Sequence, residues 1–221
     1  IFNKPLQPLD EEIDKNKYTS RKNLVLYIAP TATGKTLSPI GLSERYKIIF
    51  VCAARHVGVS LAKSAISIGK KVAFAFGCEC VEDIRLHYFS AKEYERNYKS
   101  GGIFRVDNTV GDNVEIMITD IKSYLIAMNY MNAFNDLNKL ILFWDEPTIT
   151  LDYESHECHE YIKEIWNKNI IPNVILSSAT LPEDNDIEEI FEDFIEKYEF
   201  ASISRIRSIE CRKTIPIINS E

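Results

Sequence analysis

The stretch that decides the fold is Asn23-Leu24-Val25-Leu26-Tyr27-Ile28-Ala29-Pro30-Thr31-Ala32-Thr33-Gly34-Lys35-Thr36. Its first half is an apolar run with the length of one β-strand, and the residues that follow the stretch have helical spacing over 37–45. A strand, a tight loop and a helix in this order gather backbone N–H groups and a helix N-terminus around a small anion. The stretch therefore predicts an α/β domain with a phosphate-binding loop after its first strand.

Five further apolar runs alternate with helical stretches along the chain. The predicted strands cover 23–29, 47–52, 71–76, 114–119, 139–145 and 173–178. Most of them are continuous rather than alternating, as expected of strands buried on both faces of a parallel sheet. Helices are predicted over 37–45, 57–68, 121–131, 158–167 and 186–200. This alternation predicts an α/β fold with a predominantly parallel sheet sandwiched by helices.

Composition is that of an ordinary globular protein, and the net charge excludes no class of function. The 221 residues are 45% hydrophobic and 27% charged, with a formal net charge of −7. Nine acidic residues and one lysine between Glu183 and Glu199 carry a local charge of −8, which leaves +1 for the rest of the chain. Because the acidic charge is concentrated, most of the chain is compatible with a nucleic-acid partner.

Cysteine usage and hydropathy predict a protein that stays inside the cell. Five cysteines, an odd number, fit free thiols in a reducing compartment. Neither Cys78-x-Cys80 nor the segment around Cys158 has zinc-site spacing, so we interpret these thiols as structural or incidental. The polar stretch 1–16 is not a signal peptide, and no apolar run approaches the roughly 20 residues of a membrane span. We expect the cytoplasm, the nucleus or a virion, without secretion and without a membrane partner.

The loop after the first strand supplies the groups that bind nucleotide phosphates. The predicted nucleotide-binding residues are Pro30, Thr31, Ala32, Thr33, Gly34, Lys35 and Thr36. Lys35 can reach the β- and γ-phosphates, and the Thr36 hydroxyl can reach Mg²⁺. Gly-Lys-Thr alone is a common tripeptide, and Ala29 stands where a phosphate loop usually has its first glycine. The strand–loop–helix setting is what favours phosphate binding here.

A second motif, Leu140-Ile141-Leu142-Phe143-Trp144-Asp145-Glu146, is an apolar strand that ends in two acids. Such a strand delivers its first carboxylate, Asp145, to the Mg²⁺ shell together with Thr36. The next carboxylate, Glu146, can act as the general base for the attacking water. A strand that simply ends in solvated acids is the alternative. The preceding Lys35 favours the catalytic interpretation, with Glu146, Lys35 and Asp145 as the catalytic residues.

A third motif, Ser177-Ser178-Ala179-Thr180-Leu181-Pro182, again follows an apolar strand. Small hydroxyl residues at this place can hydrogen-bond the acidic pair and relay the state of the phosphate to a neighbouring surface. Ser178, Ala179 and Thr180 are therefore predicted to couple nucleotide hydrolysis to another binding event. As an isolated tripeptide, Ser-Ala-Thr would indicate only a turn.

In this order, the three motifs resemble motifs I, II and III of superfamily 2 helicases of the DEAD/DExH type. The resemblance covers about 23–182 and is to the N-terminal RecA-like lobe of those proteins. It implies a RecA-like, P-loop NTPase fold, ATP and Mg²⁺ as cofactors, and ATP hydrolysis stimulated by DNA or RNA. Motif II reads Asp145-Glu146-Pro147-Thr148, which departs from both Asp-Glu-Ala-Asp and Asp-Glu-x-His.

The same resemblance implies how the chain is organised. Residues 1–20 are expected to form an N-terminal extension, and 21–208 the RecA-like ATP-binding domain. Residues 209–221 would be a tail or linker toward a second RecA-like domain in the same polypeptide. Because that second domain supplies part of the active site in the family, we expect the isolated chain to be a weak ATPase.

Nucleic-acid contacts are predicted at two places. By the resemblance, Arg55 and Thr119 would lie along the surface that binds single-stranded DNA or RNA. The segment Arg85–Arg105 has five Lys or Arg against two Glu, with aromatics interleaved. It therefore offers Lys92 and Arg96 for phosphates. For this segment we favour the alternative, an amphipathic helix with half-buried tyrosines.

Three other classes stay open on the sequence. An ABC-type ATPase fits Asp145-Glu146-Pro147-Thr148 with Leu151-Asp152, but no Leu-Ser-Gly-Gly-Gln-like signature precedes the strand. Viral packaging ATPases also couple through a Ser/Thr-Ala-Thr element. A regulatory subunit could keep the fold and bind nucleotide without hydrolysis, because a fold does not fix a function.

Overall fold

The computed structural model describes residues 22–30, 33–96, 102–150, 153–180 and 187–208. Its strands are β1 (Lys22–Ile28), β2 (Lys47–Cys52), β3 (Val72–Ala75), β4 (Arg85–Leu86), β5 (Tyr94–Arg96), β6 (Ile103–Val106), β7 (Ile116–Asp120), β8 (Leu140–Asp145), β9 (Asn173–Ser178) and β10 (Ala201–Arg207). Its α-helices are α1 (Ser38–Leu42), α2 (Arg55–Ser67), α3 (Tyr124–Phe134), α4 (Cys158–Lys168) and α5 (Glu188–Lys197). The predicted extension 1–20 and tail 209–221 lie outside the described residues, so the predicted domain boundaries stay predictions.

Eight strands form one sheet in the order β10-β1-β9-β8-β2-β7-β3-β4. All neighbouring pairs are parallel except β3 with β4, which is antiparallel. The six predicted strands are the six central ones, and helices separate most of them in the chain. This confirms the predicted α/β, RecA-like fold, a predominantly parallel sheet sandwiched by helices.

Alternate residues of the central strands enter two separate hydrophobic cores, one on each face of the sheet. In β8, Leu142 and Trp144 point to the face that also holds residues of α3, α4 and α5. The intervening Ile141 and Phe143 point to the other face, where α2 packs. A Cβ on Gly58 of α2 would lie 2.7 Å from the Ile118 side chain, so this helix approaches the sheet as closely as glycine allows. Burial on both faces explains why the strands are continuously apolar.

The first helix is shorter than predicted. Lys35–Leu37 forms a 3₁₀ turn, and α1 begins only at Ser38, with Pro39 in its first turn. Proline fits there because the first N–H groups of a helix have no partner within it. Among the helices of the described residues, none combines the length and apolarity needed to cross a membrane.

The favoured interpretation of Arg85–Arg105 as an amphipathic helix is wrong. The segment contains β4 at the sheet edge and an antiparallel hairpin of β5 and β6. Tyr94 lies opposite Val106 across the hairpin, and pairs of an aromatic with a β-branched residue stabilise strands. Tyr94 is exposed rather than half buried, whereas Tyr88 is partly covered by Phe89 and Tyr94.

Candidate active site

The three motifs meet at the carboxyl edge of the sheet. In the register of the parallel strands, Asp145 of β8 lies opposite Ser177 of β9. Ser178 of β9 in turn lies opposite Ile28 of β1. The Ala29 N–H donates to the Ser178 carbonyl at 3.2 Å, which ties the start of the loop to the third motif. Because parallel strands all end at one edge, motifs far apart in sequence become neighbours.

The loop between β1 and α1 is held by its own hydrogen bonds. The Thr33 hydroxyl donates to the Pro30 carbonyl at 2.8 Å, and the Leu37 N–H to the Gly34 carbonyl at 2.9 Å. Gly34 has φ +86°, a left-handed conformation that favours glycine. A Cβ built there would meet no described atom within 4 Å, so this part of the loop faces open space. Thr31 and Ala32, also predicted to bind nucleotide, lie outside the described residues.

Lys35 is buried and paired across the site. Its side chain is only 7% exposed, and its Nζ lies 3.2 Å from Glu146 Oε1. A lysine is rarely this buried without an anionic partner, because an unpaired buried charge is costly. Thr36 follows in the same 3₁₀ turn and is half-buried. The structure therefore brings Lys35 of the first motif into direct contact with the second acid of motif II.

Asp145 is a buried acid at the end of β8. It is 7% exposed, and the Ser177 hydroxyl donates to its Oδ1 at 3.4 Å. Burial, reinforced by repulsion from Glu146, raises the pKa of Asp145 to about 6, and Lys35 offsets only part of this. A nearby cation would stabilise the charged form of this buried carboxylate, as Mg²⁺ does for a carboxylate ligand.

The Glu146 carboxylate lies at the centre of the hydrogen-bond network of the site. The Ser178 hydroxyl donates to its Oε2 at 2.5 Å, and the Ala179 N–H donates to its Oε1 at 3.3 Å. The Thr180 N–H donates to the Ser178 hydroxyl at 3.2 Å. Together with the Lys35 contact, these bonds join all three predicted motifs through one carboxylate. The predicted coupling residues are thus next to the predicted base, and their coupling role stays a prediction.

The residues present fit ATP with Mg²⁺. Open space at Gly34 and the buried Lys35 ammonium suit phosphate groups, and the Asp145 carboxylate and the Thr36 hydroxyl are oxygen donors of the kind Mg²⁺ prefers. The described residues contain no cluster of three His, Cys, Asp or Glu side chains able to hold a metal. Asp145 and Thr36 are thus the side chains that would hold Mg²⁺.

The turn that follows Glu146 is strained. Glu146 and Thr150 have φ values of +50° and +77°, left-handed conformations that cost non-glycine residues roughly 1–3 kcal/mol each. Pro147 is buried, and the Ile149 N–H donates to the Glu146 carbonyl at 3.1 Å, closing a turn. Strain of this kind persists only where the surroundings hold it, and it clusters at functional sites.

Sequence reasoning missed the side chain that contacts the end of this turn. His159 Nε2 lies 2.8 Å from the Thr150 carbonyl. In the sequence, this segment is notable only for Cys158, which lies between His156 and His159. No local sequence pattern indicates a hydrogen bond between a helix and a loop nine residues upstream.

The four cysteines in the described ranges, Cys52, Cys78, Cys80 and Cys158, are free thiols.

The predicted nucleic-acid contacts lie in different settings. Arg55 is exposed at the first turn of α2, close to the carboxyl edge, with its guanidinium 5.1 Å from the Phe76 ring centroid. Thr119 is fully buried, and its hydroxyl donates to the Ala75 carbonyl at 3.0 Å. The structure thus places Arg55 on a surface but Thr119 inside, and both roles stay predictions.

Lys92 lies just before strand β5 of the hairpin, and Arg96 ends that strand. Lys92 pairs with Asp112 at 2.9 Å, and the Arg96 guanidinium lies 5.7 Å from the Tyr94 ring centroid. A neighbouring cavity of about 840 Å³ is lined by residues of both signs, among them Arg105 and Asp107. This surface is therefore mixed in charge rather than uniformly basic.

The chain is similar to solved structures of helicases. A hypothetical ATP-dependent RNA helicase from Sulfolobus tokodaii is 21% identical with a TM-score of 0.45, over 84% of this chain and 48% of that one. A DEAD box protein from Methanococcus jannaschii is 19% identical with a TM-score of 0.48, over 83% and 45%. The Hef helicase domain from Pyrococcus furiosus is 14% identical with a TM-score of 0.45, over 83% and 35%.

No protein-family profile matches the chain, and no curated protein matches it in sequence. The chain spans less than half the length of the three solved structures. The RecA-like arrangement is given by the chain's own strand order and parallel connections.

Proposed function

We propose that this chain is the ATP-binding lobe of a superfamily 2 helicase or translocase. The observation that carries the proposal is the position of Glu146, whose carboxylate contacts Lys35 of the first motif and Ser178 of the third. Three motifs that resemble one family in sequence thus converge on one side chain. Hydrolysis of ATP would be stimulated by DNA or RNA once the lobe is joined to a second RecA-like domain.

The loop residues would bind the phosphates. Backbone N–H groups around Gly34 and the Lys35 ammonium would contact the phosphate oxygens, while the Thr36 hydroxyl and Asp145 would hold Mg²⁺. When bound, Mg²⁺ neutralises charge that develops on the phosphate oxygens. Phosphate would compete with Glu146 for Lys35, because both are anions that need the same buried cation. Nucleotide binding would therefore free Glu146 from its present partner.

Glu146 would then act as the general base. Its carboxylate can accept a proton from a water molecule, which general-base groups do at hydrogen-bond distance. The Ser178 hydroxyl and the Ala179 N–H would keep it oriented once Lys35 has moved to the phosphates. The Thr180 N–H binds the same hydroxyl, so a shift of Glu146 would displace residues 178–180. These contacts would be the physical basis for coupling hydrolysis to nucleic-acid binding.

A single strand of DNA or RNA would cross the carboxyl edge of the sheet. Arg55 is exposed there and can contact phosphate. The second RecA-like domain would face the same edge and complete both the nucleotide site and the nucleic-acid surface. Without that domain, ATP would be bound but only slowly hydrolysed.

The test is ATP turnover by the full-length polypeptide with and without single-stranded DNA and RNA. We expect stimulation by one of them, and Glu146→Gln should lower kcat by about 10²–10⁴-fold while ATP binding is kept. Glu154→Gln, an exposed acid-to-amide change outside the site, is the matched control and should leave turnover unchanged. ATP binding without turnover would favour the non-hydrolysing regulatory subunit. Stimulated turnover that Glu146→Gln leaves unchanged would contradict the role of Glu146.

A further inference from the structure

The start of α4 reaches back to the strained turn behind Glu146. Thr150, at φ +77°, is a β-branched residue in a conformation that such residues rarely adopt. Its carbonyl oxygen accepts the Tyr153 N–H at 3.1 Å and lies 2.8 Å from His159 Nε2. A carbonyl has two lone pairs, so this oxygen is fully used.

The chemistry of this contact fixes the state of the imidazole. A carbonyl oxygen can only accept a hydrogen bond, so Nε2 of His159 must carry the proton. Both the neutral Nε2–H tautomer and the imidazolium provide that donor, and the bond therefore does not require a particular charge. His156, one turn earlier, has a different task, because its Nδ1 accepts the Cys158 N–H at the beginning of α4.

We propose that His159 is a positioning residue for Glu146, an inference that rests on the proposed function. The Glu146 N–H is bonded to the Ser177 carbonyl at 2.7 Å, which fixes the front of the turn. The Glu146 carbonyl accepts the Ile149 N–H, which fixes its middle. Its end at Thr150 is held by the Tyr153 N–H and by His159, which ties it to α4. When the bond to His159 is lost, the turn can relax out of its left-handed conformations, and the Glu146 carboxylate moves with it.

The proposal is tested by replacing the imidazole in the full-length protein. His159→Leu keeps bulk but removes the donor, whereas His159→Gln keeps an N–H near the same position. We expect His159→Leu to lower kcat for ATP by about 10- to 100-fold, because small displacements of catalytic groups have effects of this size. The KM for ATP should change less than kcat, since Lys35 and Thr36 belong to a separate turn after β1. His159→Gln should restore most of kcat.

A second readout does not depend on turnover. In the nucleotide-free protein, His159→Leu should increase amide hydrogen exchange over 146–150 while β8 stays protected. Glu160→Gln is the matched control, because this exposed acid lies next to His159 on α4 and pairs with the exposed Lys163, and it should change neither kcat nor the exchange over 146–150. If wild type lacks turnover, the proposed function fails, while the exchange data still decide the positioning role.

Two results would overturn the role of His159. One is unchanged exchange over 146–150 in His159→Leu. The other is equal impairment of His159→Gln and His159→Leu, which would indicate loss of packing rather than loss of the donor. Should His159→Leu fail to fold, His159→Asn takes its place, because its shorter amide ends before the position of Nε2. We expect it to behave like the leucine variant.

Discussion

The two edges of the central sheet differ in how their buried polar groups are paired. At the amino edge, Lys70 contacts Glu44 at 2.6 Å and Glu115 at 3.4 Å. Asn173 donates to the carbonyls of Asn138 and Leu140 there. At the carboxyl edge, by contrast, the pKa of Asp145 is raised, and the turn after it is strained.

This difference separates stability from function. Polar groups that are fully paired lower the energy of the folded state, whereas a buried acid and left-handed residues raise it. If the carboxyl edge is the nucleotide site proposed above, those costs leave groups ready for a ligand. Substitutions at the amino edge should therefore reduce stability, and substitutions at the carboxyl edge should reduce activity.

The largest effect on stability is expected from Asn169→Ala at the amino edge. Asn169 accepts the Tyr124 hydroxyl at 2.6 Å and the Ile171 N–H at 3.0 Å. Alanine would leave the fully buried Tyr124 hydroxyl without this partner, which should lower the free energy of unfolding by roughly 2–4 kcal/mol. Urea unfolding measures the loss, and the exposed Asn167→Ala is the control. ATP affinity should stay unchanged in the folded variant. A loss of ATP affinity would contradict the division between stability at the amino edge and activity at the carboxyl edge.

Asp145→Asn should have the opposite sign and stabilise the nucleotide-free protein. The pKa of Asp145 is about 6 in the folded chain, above the value of roughly 3.9 in an unfolded one. The folded state therefore binds the proton more tightly, and wild-type stability falls as pH rises from about 4 to about 6. At pH 7 the asparagine variant should be more stable by about 1–3 kcal/mol.

Thermal unfolding across pH 4–7 checks this expectation. The advantage of Asp145→Asn should shrink as the pH falls toward 4, where Asp145 is protonated in the folded chain and about half protonated in the unfolded one. A constant difference across this range would mean that burial of the charge is not what destabilises this edge.

Ser178→Ala should have a smaller effect, confined to activity. It removes a hydrogen bond to an ionised carboxylate, a loss of about 1.5–3 kcal/mol if the bond persists in the transition state. Stimulated kcat should fall by about 10- to 100-fold, with ATP affinity kept. Steady-state kinetics of this variant beside Ser155→Ala, an exposed serine, measure it. Loss of ATP affinity instead would place Ser178 in nucleotide binding.

The smallest effect is expected from Lys92→Glu combined with Arg96→Glu. Lys92 is already paired with Asp112 at 2.9 Å, so the two cations can add only one or two phosphate contacts. Affinity for single strands should weaken, and the slope of log K against log salt should flatten by about 0.7 per lost contact. Binding titrations at several salt concentrations measure it, with Lys63→Glu and Lys163→Glu as a control pair. An unchanged slope would remove the hairpin from the nucleic-acid surface.

The central strands were predictable because burial on both faces makes them continuously apolar. β10 was not predicted, because Ile203 and Ile206 are its only large apolar residues, and their spacing fits neither a continuous run nor strict alternation. The β5–β6 hairpin was misread because its aromatic and charged residues suit either a helix or a strand. Local pattern cannot distinguish the two where few contacts with the core decide.

The site was predictable as a set of residues but not as a set of contacts. The order of the motifs indicated that Lys35, Asp145 and Ser178 would converge, because parallel strands end together. It did not indicate that Lys35 pairs with Glu146 in the nucleotide-free chain. Nor did it indicate the His159 contact, since both depend on how loops fold over the sheet edge.

The most direct test of the central claim is calorimetric titration of the full-length protein with ATP and Mg²⁺, wild type against Lys35→Ala. If the carboxyl edge is an ATP site built on Lys35, wild type binds. The alanine variant, which leaves phosphates and both acids without their buried cation, should bind at least about 100-fold more weakly. Equal affinities, or no binding by wild type, would contradict the account.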